Sequence, residues 1–364
     1  MTLNSVIAIV LIVIAAAVYF INMFRGKEEN SVSNTLIFTG VPLILSGVPA
    51  ISDAVIYGIF QLLSLQAPAN EGGYFFRAII GLILVVLGLA LKLNLKKRIY
   101  VLNMYGIVAQ KDIDEPKALA DLKLAEHKVK EQIIDFVQLF DGGTAINPES
   151  NKAICKQIEN ATARFSAKAT EQKKTCFTGM APIPYTVYAG TFLEAAKIGR
   201  YFEYNARDGK YYSLKSRKKG DWETLNVTFP QNPDASVCDI VLAISISHQV
   251  RDADLSQFST DIVHLALNTP KDNVITDIKQ LEEYKSKMDD VIQNQLTTKY
   301  PNLRTIHIAA SIPSCVSVEL GKIIGMRTNR MVDIVVHHYI SSNTPHYVFG
   351  LHVNGSKKGD LWRR

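Results

Sequence analysis

The chain has 364 residues, of which 48% are hydrophobic, and its formal net charge is +6. These averages combine two unlike regions, because residues 1–100 contain seven Lys or Arg and four Asp or Glu, whereas the rest of the chain contains 33 and 30. Four scattered cysteines without CxxC or CxH spacing argue against a zinc site and a disulfide framework, and they fit a reducing compartment.

Three long apolar runs occupy the first hundred residues. Val6 to Phe24 carries no charge and approaches the roughly 20 residues that an α-helix needs to cross a bilayer. The other two are Thr35 to Leu65, which is interrupted by prolines and glycines, and Tyr74 to Leu91. The pattern predicts about three transmembrane helices, at residues 4–24, 35–65 and 74–95. Two crossings are the alternative if the middle run is partly re-entrant. A cleaved signal peptide is not favoured, because no basic segment precedes the first run.

Basic residues follow the first and third runs, at Arg25 and Lys27 and again at Lys92 and Lys96 to Arg98. Because cytoplasmic loops carry an excess of Lys and Arg, this distribution predicts an outside N-terminus and a cytoplasmic C-terminal domain. Asp53 interrupts the middle run. It either lies near a membrane face, where it packs or caps a helix break, or serves a pore or a subunit contact.

Residues 101–173 are predicted to form a helical connector. Glu115 and Pro116 open a helix that runs to about Phe140 with apolar residues at helical spacing. A second helix, from Pro148 to about Thr170, follows Asn147, a favoured N-cap residue. The two helices predict a hairpin packed on its own domain, with a coiled coil between subunits as the alternative.

From Thr175 onward, short β-rich runs alternate with helices, which predicts an α/β fold with mainly parallel sheets. Strands are predicted at Thr175–Met180, Thr224–Phe229, Asp239–Ile246, Asp261–Leu267, Arg304–Ala309, Met331–Tyr339 and His346–Val353. Helices are predicted at about Tyr185–Tyr204, Asn273–Thr298 and Ser314–Met326. His337 and His338 alternate faces of one strand, so a metal site is not expected there.

Two stretches repeat one pattern. CFTGMAPIPYTVYAGTFLEAAKIG, from Cys176, and IHIAASIPSCVSVELGKIIG, from Ile306, each read as a strand, a short loop with Pro, and a helix. The repetition predicts two Rossmann-like halves, whose ligands bind beyond the carboxyl ends of the strands. Neither loop has GxGxxG or a Walker A lysine, so no nucleotide cofactor is expected, whereas helix N-termini favour phosphate of another kind.

The loops that follow the strands supply the candidate ligand-binding residues. Small loop residues let backbone N–H groups approach a phosphate, Tyr185 can stack on a base, and Glu319 can accept hydrogen bonds from a base or ribose. The alternatives are that the loops only cap their strands and that Glu319 ties its helix to a neighbouring loop. The candidates are Pro182, Pro184, Tyr185, Thr186, Ser245, Ser247, His248, Arg251, Asn268, Thr269, Lys271, Ser311, Pro313, Ser314 and Glu319.

The segments HIAASIPSCVSVELGKII and TGMAPIPYTVYAGTFL resemble the SAVED domain of bacterial CBASS anti-phage effectors. The resemblance covers about residues 174–355, within a predicted sensor domain at 174–364, and V-E-L-G is its most diagnostic block. It implies two fused CARF-like halves that bind a cyclic oligonucleotide, often a trinucleotide, made by a partner nucleotidyltransferase. It also implies that ligand binding makes the domains stack and that the stack activates a fused effector.

Among the usual fused effectors, which are nucleases, TIR domains and transmembrane segments, the sequence indicates only the last. The resemblance therefore implies a non-enzymatic effector of the bacterial inner membrane that self-associates, contacts lipid and disrupts the membrane in abortive infection. No DNA partner is expected. The alternatives are a membrane-tethered binding module that recruits another enzyme and a ring nuclease that cleaves the cyclic ligand.

Overall fold

The structure of the protein is a computed structural model that describes residues 29–46, 74–96, 98–107, 113, 115–140, 146–169, 174–216, 220–326 and 332–362. The chain divides into two compact units, Met1–Arg98 and Ile99–Arg364. The predicted crossing at 4–24, most of the run at 35–65 with Asp53, and the basic residues Arg25, Lys27 and Lys97 lie outside the described residues.

Two helices of the first unit, α1 (Glu29–Ser46) and α2 (Tyr74–Lys96), pack against each other in antiparallel directions. Gly40 contacts Gly81, and the Ser33 hydroxyl donates a hydrogen bond to the Gly88 carbonyl at 2.8 Å. Glycine allows this approach because a Cβ at Gly81 would lie 2.6 Å from the Gly40 carbonyl oxygen.

The prediction of N-terminal transmembrane helices is wrong, because no helix among the described residues is long and apolar enough to cross a membrane. Helix α1 has 18 residues and contains Pro42. In α2 the uncharged stretch between Arg77 and Lys92 has 14 residues, or about 21 Å of helix against a hydrocarbon core of about 30 Å. The predicted multi-pass location in the bacterial inner membrane is wrong on the same finding.

The second unit contains two sheets. The first has five strands in the order β2-β1-β3-β4-β5, in which β1–β3 and β3–β4 are parallel and β4–β5 is antiparallel. Its elements are β1 (Arg98–Tyr105), α3 (Pro116–Asp121), β2 (Lys128–Asp135), α4 (Val137–Phe140), α5 (Pro148–Ala169), β3 (Thr175–Met180), α6 (Ile183–Gly190), β4 (Arg200–Asn205) and β5 (Lys210–Ser213).

The predicted helical connector is only half correct. Helix α5 is confirmed, and its N-cap is the predicted one, since the Asn147 side chain accepts a hydrogen bond from the Ser150 N–H at 2.7 Å. The helix predicted from 115 to 140 is wrong. Helix α3 ends beside Lys123, whose φ of 56° is left-handed, and the chain then forms β2 next to β1. The spacing of Val129 and Ile133 fits either a helix or a strand. The segment forms a strand because it pairs with β1.

The helix predicted at Tyr185–Tyr204 is also wrong beyond its first turns. Helix α6 ends at Gly190, and the aromatic-rich segment Arg200–Asn205 pairs with β3 as a strand. Aromatic residues favour a strand, and the free edge of β3 supplies the pairing partner. The second half of the prediction therefore missed the β4–β5 hairpin.

The second sheet has seven strands in the order β12-β11-β10-β9-β7-β8-β6, with β10, β9, β7 and β8 parallel to one another. Six of the seven predicted strands lie in this sheet and are confirmed within a few residues at their ends, and the seventh, Thr175–Met180, belongs to the first sheet. The C-terminal strand Leu361–Trp362 was not predicted. The elements are β6 (Asn226–Thr228), β7 (Asp239–Ser245), β8 (Ile262–Ala266), α7 (Ile278–Asp290), α8 (Leu296–Lys299, joined to α7 by a π-helical turn), β9 (Thr305–Ser311), α9 (Ser314–Gly325), β10 (Asp333–Tyr339), β11 (Tyr347–His352) and β12 (Leu361–Trp362).

Helices α6 and α9 of the two repeated units cross each other through glycines. A Cβ added at Gly190 would lie 2.8 Å from the Gly321 Cα, and one at Gly325 would lie 2.9 Å from the Thr191 Cα. Val187 meets Gly321 and Thr191 meets Gly325, so both helices run in the same general direction. The loops that precede the two helices therefore lie toward the same end of the domain.

Candidate functional site

Three loops of the second sheet join at its carboxyl edge. The N–H groups of Ile246 and Ser247 donate to the Ser311 carbonyl at 3.0 and 2.9 Å, and the Lys271 N–H donates to the Ile246 carbonyl at 3.1 Å. These bonds bring together the segments that follow β7, β8 and β9, as expected for parallel strands. We use the term loop cluster for the surface of Ser247, His248, Lys271, Asp272, Ser311 and the hairpin tip Asn205–Lys210.

His248 is an exposed member of the loop cluster. Its backbone N–H donates to the Ser311 hydroxyl oxygen at 3.1 Å, and its Nε2 lies 3.3 Å from Asp272 Oδ1. Ser245 is buried beneath the loop, where its hydroxyl oxygen accepts a hydrogen bond from the Val250 N–H at 3.0 Å. The loop backbone is thus held by internal bonds while the imidazole faces solvent.

The tip of the β4–β5 hairpin contributes Arg207, a residue that the sequence reasoning missed. Asn205 organises the tip, since its Oδ1 accepts from the Arg207 N–H at 3.0 Å and its Nδ2 donates to Asp208 at 2.7 Å. Gly209 follows with a φ of +61°, which glycine adopts without strain. Arg207 Nη2 lies 3.5 Å from Asp272 Oδ2, so the first half of the domain reaches the loops of the second.

The N-terminus of α9 already holds a carboxylate of the protein. Glu203 of β4 accepts hydrogen bonds from the Ser314 hydroxyl at 2.9 Å and from the Cys315 N–H at 2.6 Å. Burial raises the pKa of Glu203, although these bonds act in the opposite direction. The predicted phosphate-binding groups of Ser314 and its neighbour are therefore bonded to Glu203, and the adjoining Pro313 is half-buried as the N-cap residue.

Glu319 is buried inside the domain and connects three elements. Its carboxylate lies 2.5 Å from Lys285 Nζ of α7 and 3.0 Å from Lys322 Nζ of α9, and it accepts a hydrogen bond from the Tyr201 hydroxyl of β4. Burial acts to raise the pKa of Glu319, but Lys322 and Lys285 lower it overall. The contacts are those expected if Glu319 ties its helix to neighbouring segments.

The loop after β3 is enclosed, unlike the loop after β9. Tyr185 is fully buried, donates its hydroxyl to Asn151 Oδ1 at 2.9 Å and packs against Phe136 and Phe349. Thr186 is buried and donates to the Pro182 carbonyl at 3.3 Å. These two candidates and the neighbouring Pro182 and Pro184 are therefore buried in the interior of the domain.

The remaining candidates are bonded to residues outside the loop cluster, toward β6 and β8. Arg251 forms two 3.2 Å bonds to Asp254, the Asn268 side chain accepts from Asn226 at 3.3 Å, and the Thr269 N–H donates to Glu223 at 3.0 Å. An open cavity of about 460 Å³ lies here, lined by Thr228, Gln249, Val250, Arg251, Asp252, His264 and Ala266.

His337 and His338 lie on opposite faces of β10, as predicted. His337 Nε2 is 2.9 Å from His307 Nδ1, whereas His338 packs against Phe140. Burial lowers the pKa of His337 well below its usual range. Within the described part of the chain, no three His, Cys, Asp or Glu residues are grouped to hold a metal ion.

A family model described as "SAVED: SMODS-associated and fused to various effectors sensor domain" matches residues 158–353. The chain belongs to the SAVED family. The match begins within α5 and ends after β11, so it includes both repeated units and all the loops of the loop cluster. This match confirms the prediction of a SAVED domain. A separate comparison with curated proteins found no match.

Solved structures similar to this SAVED protein include three of the Acinetobacter baumannii Cap4 SAVED/CARF-domain containing receptor. The structure with 3′3′3′-cAAA is 13% identical, with 78% of this chain and 59% of that chain covered at a TM-score of 0.48. The structure with 2′3′3′-cAAA is 12% identical, with 84% and 67% covered and a TM-score of 0.48. The third is 12% identical, with 84% and 66% covered and a TM-score of 0.44. This chain thus spans less than two thirds of the first of these receptor chains.

Proposed function

We propose that this SAVED protein senses a cyclic oligonucleotide, first of all a cyclic trinucleotide, in CBASS-type anti-phage signalling. The loop cluster carries the proposal. It exposes Arg207 from the first half and His248 and Lys271 from the second, at the carboxyl ends of parallel strands, where α/β sheets bind their ligands. The family description as a sensor domain supports the same function.

The chemistry of the loop cluster suits phosphodiester groups. Arginine and lysine are donors without acceptors, and imidazole donates through a ring N–H, so all three can bond to phosphate oxygens. A guanidinium group can bond to two oxygens at once. Because the backbone of the cluster is fixed by bonds to Ser311 and Ile246, these side chains are presented with little loss of backbone freedom on binding.

The proposal includes self-association of the sensor domain on ligand binding and a partner nucleotidyltransferase that makes the ligand. Both parts derive from the family. A ligand that touches Arg207 on one side and Lys271 on the other would fix the hairpin tip relative to the loops of the second half. A surface fixed in this way is the kind of feature that a second copy can recognise.

Isothermal titration calorimetry on the full chain tests the function. The ligands are 3′3′3′-cAAA and 2′3′3′-cAAA together with cyclic dinucleotides and tetranucleotides. We expect binding to at least one of them, and light scattering should show larger particles at saturation. The absence of heat above the buffer background for every ligand would contradict the proposal.

A pair of variants locates the site. We expect His248→Ala combined with Lys271→Ala to weaken binding by about tenfold or more, since a hydrogen bond to a charged group contributes about 1.5–3 kcal/mol. The control is Tyr185→Phe, which removes a buried hydroxyl that is bonded to Asn151, outside the loop cluster, and should leave the affinity unchanged. Equal losses in the two variants would place the ligand elsewhere.

A further inference from the structure

The carboxylate of Asp272 lies between two basic side chains that come from different halves of the domain. Its Oδ2 is 3.5 Å from Arg207 Nη2 of the β4–β5 hairpin, and its Oδ1 is 3.3 Å from His248 Nε2 of the loop after β7. Each carboxylate oxygen therefore faces one donor.

The backbones of Arg207, His248 and the residue before Asp272 are held by hydrogen bonds, whereas all three side chains are exposed. Arg207 follows the Asn205 turn, His248 is bonded to the Ser311 hydroxyl oxygen, and Asp272 follows Lys271, whose N–H is bonded to Ile246. The side chains of Arg207, His248 and Asp272 are 81%, 70% and 39% exposed. The groups can therefore exchange partners without any change in the core.

The contacts to Asp272 are weak enough to be replaced. Exposed ion pairs contribute about 0–1 kcal/mol, because water and salt screen them. A phosphodiester also offers one negative charge on two oxygens, and it binds guanidinium groups in the same two-point manner as a carboxylate. A phosphate placed between Arg207 and His248 would thus meet the same donors that Asp272 meets.

We propose that Asp272 takes the place of a ligand phosphate in the free protein. It keeps Arg207 and His248 directed at one point, and a phosphate of the bound cyclic oligonucleotide displaces it and connects the two halves. The inference rests on the proposed function and deepens it. It assigns Arg207 as a ligand-binding residue and Asp272 as a competitor of the ligand.

The test is the affinity of the full chain for 3′3′3′-cAAA, or for whichever cyclic oligonucleotide binds the wild type most tightly, measured by calorimetry. Asp272→Asn keeps the shape but removes the competing charge, so the affinity should rise about fivefold, the equivalent of one exposed ion pair. Arg207→Gln should lower the affinity about tenfold. With Arg207→Gln already present, Asp272→Asn should give a smaller gain.

Asp208→Asn is the matched control. It removes the same charge from a carboxylate that is next to Arg207 in the sequence but is bonded to Asn205. An equal gain in Asp208→Asn would show a general charge effect and overturn the displacement of Asp272. A loss of affinity in Asp272→Asn, or an unchanged affinity in Arg207→Gln, would also overturn the inference. If the wild type binds no cyclic oligonucleotide, the proposed function itself fails. If the wild type binds a cyclic oligonucleotide and the variants bind it equally well, only the roles assigned to Arg207 and Asp272 are wrong.

Discussion

The two repeated strand–loop–helix units share one sequence pattern but differ in what surrounds their loops. The loop after β3 is enclosed, and Tyr185 at the start of α6 is fully buried among aromatic rings. The loop after β9 lies partly at the surface, where Ser311 holds the segment after β7. The repeated pattern therefore specifies the backbone, and the neighbouring segments decide which copy can meet a ligand.

The neighbours of each loop explain this difference. In the first half, β1 lies beside β3, and Gly106 at its end approaches so closely that an added Cβ would lie 2.7 Å from Pro182 Cδ. Phe136 and Phe140 close the same region. In the second half, β7 lies beside β9 and is followed by polar residues that include Ser247 and His248. An apolar neighbour buries one loop, and a polar neighbour leaves the other open.

The largest expected effect comes from removing β1, because the first sheet needs this strand and shares one hydrophobic core with the second sheet. A fragment of residues 99–364 should unfold cooperatively on heating, whereas a fragment of residues 110–364 should show no cooperative transition. Strand β1 is buried and lies between β2 and β3, so its loss splits the first sheet. Circular dichroism melting curves provide the measurement. A cooperative transition of the shorter fragment at the same temperature would show that the halves are independent.

The next effect concerns the link between the halves at Glu319. Glu319→Gln should lower the free energy of unfolding by about 3 kcal/mol, because it leaves Lys322 and Lys285 without their carboxylate. The pKa of Glu319 is lowered on folding, so its stabilisation is present above the unfolded value of about 4.3 and is lost as the pH falls. Urea unfolding at pH 7 and pH 3.5 should show the difference from wild type shrinking in acid.

Lys322→Met, combined with Glu319→Gln, is the control for that variant. Removing one of the two lysines should recover part of the lost stability, since less buried positive charge is left unpaired. No recovery, or a Glu319→Gln variant as stable as wild type at pH 7, would show that Glu319 does not hold the two halves together.

A smaller effect is expected at the helix crossing. Gly321→Ala should destabilise the domain by about 1–3 kcal/mol, because the new Cβ meets backbone atoms of α6, with the Gly190 Cα at 2.7 Å. Gly199→Ala is the control, since its Cβ meets only the Thr175 carbonyl oxygen at 3.5 Å. Urea unfolding compares the two. Equal stability of both variants would mean that the helices can move apart freely.

The smallest effect is expected at Glu203, a carboxylate that β4 directs to the N-terminus of α9. Its hydrogen-bond donors are uncharged, so Glu203→Gln should change the unfolding free energy at pH 7 by less than about 1 kcal/mol. Burial raises the pKa of Glu203. Wild type should therefore lose stability relative to the variant as the pH rises above about 4.3, opposite in sign to Glu319. Urea unfolding at pH 4, 5.5 and 7 measures this, and a difference independent of pH would contradict it.

Buried strands and the helix α9 could be predicted from the sequence because their signals are local. Strand β3 and helix α9 were predicted to within a residue, since each is an apolar run bounded by clear turn residues. The segment from Lys128 to Asp135 has no such signal. Its charged and apolar residues fit a helix or an edge strand, and only the presence of β1, some 30 residues earlier in the chain, decides between them.

Part of the loop cluster could also be predicted from the sequence, because local signals locate the strands that its loops follow. Ser247, His248, Lys271 and Ser311 follow strands that were predicted correctly, so their meeting at one edge could be inferred. Arg207 was missed because the first strand of its hairpin was assigned to the helix predicted at Tyr185–Tyr204, although Asp208 and Gly209 are a turn signal between two aromatic runs. Tyr185 was misjudged because the aromatic residues that bury it, such as Phe349, are distant in sequence.

The outer strands of the second sheet are very short, with three residues in β6 and two in β12. An edge strand offers its unpaired N–H and C=O groups as a template for another chain, and short edges are one way in which proteins limit such pairing. Here each edge exposes backbone for only a few hydrogen bonds. Strand addition to the second sheet is therefore a poor route to assembly, and self-association through this sheet would have to use side chains and loops. An assembly built in this way can respond to a ligand, because loops can change their surface without breaking the sheet.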